Sequence, residues 1–163
     1  MSNPWAQWIG RFGFRTDQGR IDAKTWRQGT LFLGGLLVLL TLIWIVLSPY
    51  THHDLATSPF LSVGTLAAFA YLIFYAFAVL LIAICHYNLS VKRWRDCRWR
   101  FPGALAGLLP LAVLSSGAMH WLQPRVPETL PYWYVLILDA VLFAIAAWNI
   151  VELGTCPSVP SAK

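Results

Sequence analysis

Four long apolar stretches constrain this chain more than any other feature of its sequence. None contains a lysine or an arginine, only the last contains acidic residues, and they cover residues 31–47, 60–84, 101–122 and 132–153. A helix needs about 20 consecutive apolar residues to cross about 30 Å of hydrocarbon, and the first stretch approaches that length because it extends back toward Trp26. The sequence therefore predicts an all-α membrane protein with four transmembrane helices.

The composition excludes the main alternative classes of protein. Hydrophobic residues make up 58% of the 163 residues and charged residues 12%, against roughly 45–50% and about 25% in soluble domains. Nine tryptophans also argue against a disordered chain, because large apolar side chains are not kept in water without burial. We therefore expect neither a water-soluble globule nor a disordered protein.

The basic residues indicate how the helices are oriented. Eleven of the 12 lysines and arginines fall within residues 1–30, 85–100 and 154–163, and only Arg125 falls in the opposite set of connections. The positive-inside rule then predicts that both termini and the connection between the second and third helices face the cytoplasm. The net charge of +5 is on this interpretation an orientation signal, and no nucleic-acid partner is expected.

The first 24 residues are predicted to form a cytoplasmic amphipathic segment. Asn3 is a candidate helix N-cap, and positions 5, 8, 9 and 12 place two Trp, one Ile and one Phe on a single helical face. A short apolar stripe beside Arg11 and Arg15 predicts a helix that lies in the lipid headgroup layer. The alternative is that this stripe packs on the other helices or on a partner subunit.

Three further features complete the predicted organisation. Asp22 is a candidate N-cap for the first transmembrane helix. Residues 25–153 are predicted to form the transmembrane domain. Residues 154–163 contain prolines at 157 and 160 and little bulk, so we expect a flexible cytoplasmic tail.

Residues 89–101 are the most distinctive stretch, because they combine five cations, one carboxylate and two tryptophans. They predict a basic cytoplasmic surface that contacts anionic lipid headgroups or a partner protein. The residues assigned to this surface are Arg20, Lys92, Arg93, Arg95, Asp96, Arg98 and Arg100. The alternative is a docking arrangement in which Arg93 and Asp96 pair with each other or with Arg20.

Asp139 is the candidate intramembrane polar residue. It lies in the fourth apolar stretch, about 10 Å from the outer end at roughly 1.5 Å per residue. An ionisable group there costs about 2.5–3.5 kcal/mol on insertion scales and usually faces other helices. His120 is its candidate partner, since it lies near the outer end of the preceding helix. The pair serves either a proton or ion path, or a hydrogen-bonded contact between helices.

Few residues have the spacing of a metal or redox site. His52 and His53, with His120 on the same predicted side, are weak candidates for metal ligands, and solvated loop histidines are the alternative. The cysteines at positions 85, 97 and 156 all fall on the predicted cytoplasmic side, so we expect free thiols and no structural disulfide. We therefore expect no bound metal and no cofactor.

Small residues mark candidate packing faces on the last two helices. Gly103 and Gly107 form a GxxxG pattern, and Ala140 and Ala144 form a similar face on the fourth helix. Such faces let helix backbones approach closely, either within the chain or with another protein. No serine or cysteine has histidine and carboxylate partners at an interpretable spacing, so no enzymatic activity is expected.

Two motifs resemble those of a known family. Residues 19–26, Gly-Arg-Ile-Asp-Ala-Lys-Thr-Trp, resemble the opening pattern of the bacterial inner-membrane proteins catalogued as domain of unknown function 805. Residues 89–101 resemble the second motif of that family: Lys92 and Arg93 match its basic pair and Asp96 its aspartate, whereas Arg95 replaces its histidine. The resemblance implies a small multi-pass protein of the bacterial inner membrane. It implies no reaction, because the family has no established activity.

Together these features predict a non-enzymatic accessory or scaffold subunit that docks to a larger membrane complex. Its expected partners are anionic lipid headgroups and other integral membrane subunits. The alternative is a small transporter or channel that uses Asp139.

Overall fold

The computed structural model describes residues 20–51 and 62–157, and within these ranges the chain is helical without a strand. Its four long helices are α1 (Ala23–Leu47), α2 (Val63–Asp96), α3 (Pro102–Leu122) and α4 (Trp133–Thr155). Each is long and apolar enough to cross a membrane. The predicted fold class of four transmembrane helices is therefore confirmed. The predicted amphipathic helix near the N-terminus lies outside the described residues.

The described residues divide into two compact units. Unit 1 contains residues 20–29 and 84–157, and unit 2 contains residues 30–51 and 62–83. The start of α1 and the end of α2 therefore belong to unit 1, together with all of α3 and α4. The remaining parts of α1 and α2 form unit 2.

α2 is longer than the sequence predicts. It contains 34 residues and ends at Asp96, whereas the apolar stretch ends at residue 84. At about 1.5 Å per residue the helix is roughly 51 Å long, which exceeds the thickness of the hydrocarbon. Most of the distinctive basic stretch is therefore the last part of this helix, and only residues 97–101 connect it to α3.

The boundaries of α1 and α2 have identifiable causes. The backbone N–H of Thr25 donates to Asp22 Oδ1 at 3.3 Å, which confirms Asp22 as the N-cap of α1. At the end of α2, Arg98 adopts the left-handed conformation with φ 58°. The N–H groups of Arg98 and Trp99 donate to the carbonyls of Arg95 and Trp94. This pattern is a Schellman C-cap, which satisfies carbonyls that the helix leaves without partners.

α3 begins with Pro102 in its first turn, where a missing N–H costs no hydrogen bond. The helix continues through Pro110 to Leu122. Pro110 is therefore accommodated within α3 without a break in the helix.

Unit 1 has a compact core at the junction of α2 with the start of α1 and with α3 and α4. Its buried members are Ile21, Trp26, Leu89, Val91, Trp94, Ala106 and Leu153. Trp26 is 1% exposed, although its place near a predicted helix end favours the lipid interface. It packs in this core, and its indole N–H donates to Ser90 Oγ at 3.3 Å, which satisfies the polar end of the ring.

Unit 2 is held by aromatic and hydroxyl groups. The Tyr71 hydroxyl donates to the Leu40 carbonyl at 2.7 Å, and the Tyr75 and Thr41 hydroxyls lie 3.0 Å apart in a hydrogen bond. Trp44 stacks on Tyr75. Most large apolar side chains of this unit are exposed, which is the pattern of helices whose outer solvent is lipid.

Candidate functional site

Arg93 is the centre of a buried polar cluster at the end of α4. Its guanidinium is fully buried and pairs with the Asp96 carboxylate one turn further along α2. Its Nε donates to the Leu153 carbonyl at 2.9 Å, and its Nη2 donates to the Cys156 carbonyl. We call Arg93, Asp96, Leu153 and Cys156 the Arg93 cluster.

The last turn of α4 explains why a cation is placed here. The final carbonyls of a helix lack partners within the helix, and the negative end of the helix dipole lies at the same place. Arg93 supplies donors to two of these carbonyls, and the neighbouring carboxylate compensates its charge. A buried ion pair of this kind is costly to break, because removal of one partner leaves the other charge without compensation.

Burial corrects the predicted basic surface. Lys92 is 1%, Arg93 0% and Asp96 4% exposed, so these residues belong to the interior of unit 1. The extension of α2 turns them toward the core and away from lipid headgroups. The structure confirms instead the alternative in which Arg93 and Asp96 pair with each other.

The other residues of that prediction remain at the surface. Arg20, Arg98 and Arg100 are exposed and Arg95 is half-buried. Trp99 and Phe101 are exposed between and beside these cations, and the Arg100 guanidinium lies 5.3 Å from the centre of the Phe101 ring. An exposed cationic and aromatic surface therefore remains around residues 98–101.

The cysteines correct a second prediction. Cys97 and Cys156 form a disulfide, with their Cα atoms 6.0 Å apart, and Cys85 is the free cysteine of the described chain. The spacing in sequence gave no sign of this pair, since 59 residues separate the two. The predicted flexible tail is also wrong at its start, because α4 runs to Thr155 and Cys156 is bonded to Cys97.

A second polar cluster lies between α3 and α4, toward their other ends. Asp139 accepts a hydrogen bond from Ser116 Oγ at 2.6 Å. His120 Nε2 lies 3.0 Å from Asp139 Oδ2. The predicted pairing of Asp139 with His120 is therefore confirmed, and we call these three residues the Asp139 cluster.

Ser116 is the residue of this cluster that the sequence does not predict. It is buried in α3, one helical turn before His120, so that both residues share one face of the helix. That spacing of four residues is the signal that relates them. The serine donates to the carboxylate, whereas a nucleophilic serine would give its proton to the imidazole. The arrangement therefore binds a carboxylate between two helices and does not activate a nucleophile.

The two members of the ionisable pair differ in exposure. The His120 side chain is 52% exposed and that of Asp139 is 27% exposed. Close by in sequence, the Arg125 guanidinium lies 3.8 Å above the Trp121 ring and donates to the Trp121 carbonyl. This end of α3 therefore carries an accessible imidazole beside an aromatic residue and a cation, a composition typical of the membrane interface.

The two predicted packing faces have different outcomes. Gly103 and Gly107 both approach Tyr87 of α2, so that a Cβ at Gly103 would lie 3.3 Å from the tyrosine hydroxyl. The GxxxG pattern therefore makes a contact between helices within unit 1. Ala140 and Ala144 are exposed, and their predicted role in packing is not seen among the described residues.

The predicted metal candidates are only partly within the described chain. His52 and His53 lie outside the described residues, and His120 faces Asp139. Within residues 20–51 and 62–157, no three His, Cys, Asp or Glu side chains are grouped in a way that could hold a metal ion.

Comparisons of the chain with protein-family models, with curated proteins and with solved structures found no match.

Proposed function

We propose that this chain is a non-enzymatic membrane scaffold, an accessory subunit that docks to other integral membrane proteins. One observation carries the proposal. The ionisable side chains that a catalytic reaction would need are instead held in contacts between helices. Arg93 binds the end of α4, and Asp139 joins α4 to α3. Polar side chains that join helices in this way suit a protein that presents surfaces to partners.

The exposed faces support two kinds of partner. Ala140 and Ala144 lie exposed on α4 among large apolar side chains, and small residues allow a partner helix to approach closely in a bilayer. The exposed Arg98 and Arg100 are suited to anionic headgroups, to which each basic residue near a charged surface contributes about 1 kcal/mol. From the resemblance of its two motifs to a bacterial inner-membrane family we propose the inner membrane of a bacterium as the location, and from the distribution of basic residues we place both termini in the cytoplasm.

Purification of the full chain from its native membranes in mild detergent tests the scaffold proposal. We expect a complex of fixed stoichiometry with another integral membrane protein. Ala144→Leu should weaken that complex by adding bulk on an exposed face, whereas Ile150→Leu, at another exposed position of α4, should leave it intact. An isolated chain or homo-oligomer after chemical cross-linking in the membrane would contradict the proposal.

A second candidate function is a small proton-linked transporter. It is favoured by the half-exposed His120 beside Asp139, because histidine and carboxylate pairs within membrane spans form proton relays. Liposomes that contain the purified chain and a pH-sensitive dye provide the test. A proton flux that Asp139→Asn abolishes and Arg100→Ala preserves would favour the transporter, and flux no greater than in protein-free liposomes would reject it.

A further inference from the structure

The Cys97 and Cys156 pair is a chemical feature that the proposed scaffold role does not require. Cys97 directly follows α2 and Cys156 directly follows α4, and their Cα atoms are 6.0 Å apart. This separation is within the range that a disulfide bridges without backbone movement. Both side chains are half-buried, so small solutes can reach them.

The proposed cytoplasmic location, on which this inference rests, favours a reversible bond over a permanent structural one. The segments around it carry the basic residues that predict the cytoplasmic side, where thiols are kept reduced and the disulfides that form are usually transient or redox-sensing.

We propose that Cys97 and Cys156 form a reversible thiol–disulfide modification site whose exchange partners are small-molecule disulfides and thiols of the glutathione class. One cysteine thiolate attacks a sulfur of the small disulfide, forms a mixed disulfide and releases one small thiol. The second cysteine then displaces the other small thiol. Two electrons pass from the cysteines to the small disulfide, and the two cysteine protons leave with the two released thiols. Two equivalents of small thiol reverse the reaction.

The bond acts on the same turn of α4 that Arg93 holds. In the disulfide form, the end of α4 is tied to the end of α2 by the bond and by the Arg93 hydrogen bonds to Leu153 and Cys156. In the dithiol form, the Arg93 hydrogen bonds remain and the covalent tie is lost. The site therefore sets how readily the last turn of α4 opens.

Acid trapping of living cells that express the full chain tests the chemistry. Thiols are alkylated with one maleimide, disulfides are then reduced and alkylated with a heavier maleimide, and each cysteine is scored by mass spectrometry. We expect mainly thiols in unstressed cells, the heavy label on Cys97 and Cys156 after diamide, and a return to thiols within minutes of its removal. In Cys97→Ser or Cys156→Ser the remaining partner should stay as a mixed disulfide with the small thiol, detected by its added mass before the reduction step, and Cys85→Ser should preserve the response.

Two outcomes would overturn the proposal. If the pair is oxidised in every sample, the bond is structural, as it also would be if these segments faced an oxidising compartment. If it stays as thiols after diamide, the site does not form the bond in the membrane. Neither outcome depends on whether the chain has a membrane partner, so failure of this proposal is distinct from failure of the scaffold function.

Hydrogen exchange of the purified chain provides the second measurement. Reduction should speed exchange of the amides at residues 152–156 several-fold in the wild type and in Cys85→Ser. Cys97→Ser should exchange at the faster rate with or without reductant. Equal protection of this turn in oxidised and reduced wild-type protein would show that the bond does not control it.

Discussion

The two ends of α4 are held by different polar clusters, and the difference shows what burial does to a charge. The Arg93 cluster is enclosed, with Arg93 0% and Asp96 4% exposed. The Asp139 cluster is open, since the His120 side chain is 52% exposed. A buried charge loses its hydration, so its stability depends on its protein partners. The electrostatic attraction within an exposed pair is weaker because the surrounding solvent screens it. The Arg93 cluster should therefore be the more sensitive to substitution.

The largest effect is expected from Arg93→Ala. This substitution leaves the Asp96 carboxylate without its cation and two carbonyls of α4 without donors, so we expect a loss of about 3–5 kcal/mol of unfolding free energy. Titration with a denaturing detergent, followed by circular dichroism, measures it. Arg100→Ala, at an exposed cation, should change stability by no more than about 0.5 kcal/mol. If the two variants are equally stable, the Arg93 cluster does not contribute more to the free energy of unfolding than an exposed cation does.

Close packing near the Arg93 cluster gives the second prediction. A Cβ on Gly29 would lie 2.6 Å from Leu89 Cδ2, so Gly29→Ala should displace that leucine in the core and cost about 1–3 kcal/mol. Gly34→Ala is the matched control, because a Cβ there meets nothing within 4 Å. In the same helix that change should be neutral or stabilising, since alanine is the better helix former. The same detergent titration compares the stability of the two variants. If Gly29→Ala is as stable as the wild type, the packing around the start of α1 accommodates the added methyl group.

A double-mutant cycle at the Asp139 cluster should give a smaller value. His120→Ala, Asp139→Asn and the double variant isolate the coupling between these two side chains. Hydrogen bonds between helices in membranes average about 0.6 kcal/mol and reach about 1.7 kcal/mol, and we expect a coupling near 1 kcal/mol because the pair is half-exposed. A coupling above about 3 kcal/mol would mean that the Asp139 cluster is as sensitive to the loss of one partner as the Arg93 cluster.

The sequence predicts the parts of this fold that depend on hydrophobic length and on local spacing. Four long apolar stretches predict four helices, and Asp22 at the start of the first predicted helix predicts the cap of α1. The pairing of Asp139 with His120 follows from their similar depth in adjacent helices. These features need only periodicity and the thickness of the hydrocarbon.

The enclosed cluster is not predictable in the same way, because it depends on contacts between residues distant in sequence. A run of basic residues beside a membrane helix usually faces headgroups, and nothing in the local pattern indicates that Arg93 instead reaches Leu153 and Cys156. The disulfide between Cys97 and Cys156 has the same origin, since it follows from the extension of α2 toward the end of α4. Long-range packing therefore changes both assignments.

The smallest effect is expected at Asp22, which shows the same contrast at the start of α1. Asp22 is exposed, and hydrogen bonds from the side chain and the backbone of Thr25 hold the pKa of its carboxyl below the ordinary value of 3.8. A lowered pKa in the folded state stabilises α1 above the unfolded value, and this contribution is lost as the pH falls through the folded pKa. Asp22→Ala should therefore cost about 0.5–1 kcal/mol at neutral pH, and the difference from wild type should shrink below about pH 4. Circular dichroism of the helix content across pH 2–7 measures this difference. A protonated Asp22 accepts the Thr25 hydrogen bond more weakly than the carboxylate does. A difference between variant and wild type that grows on acidification would therefore contradict the cap.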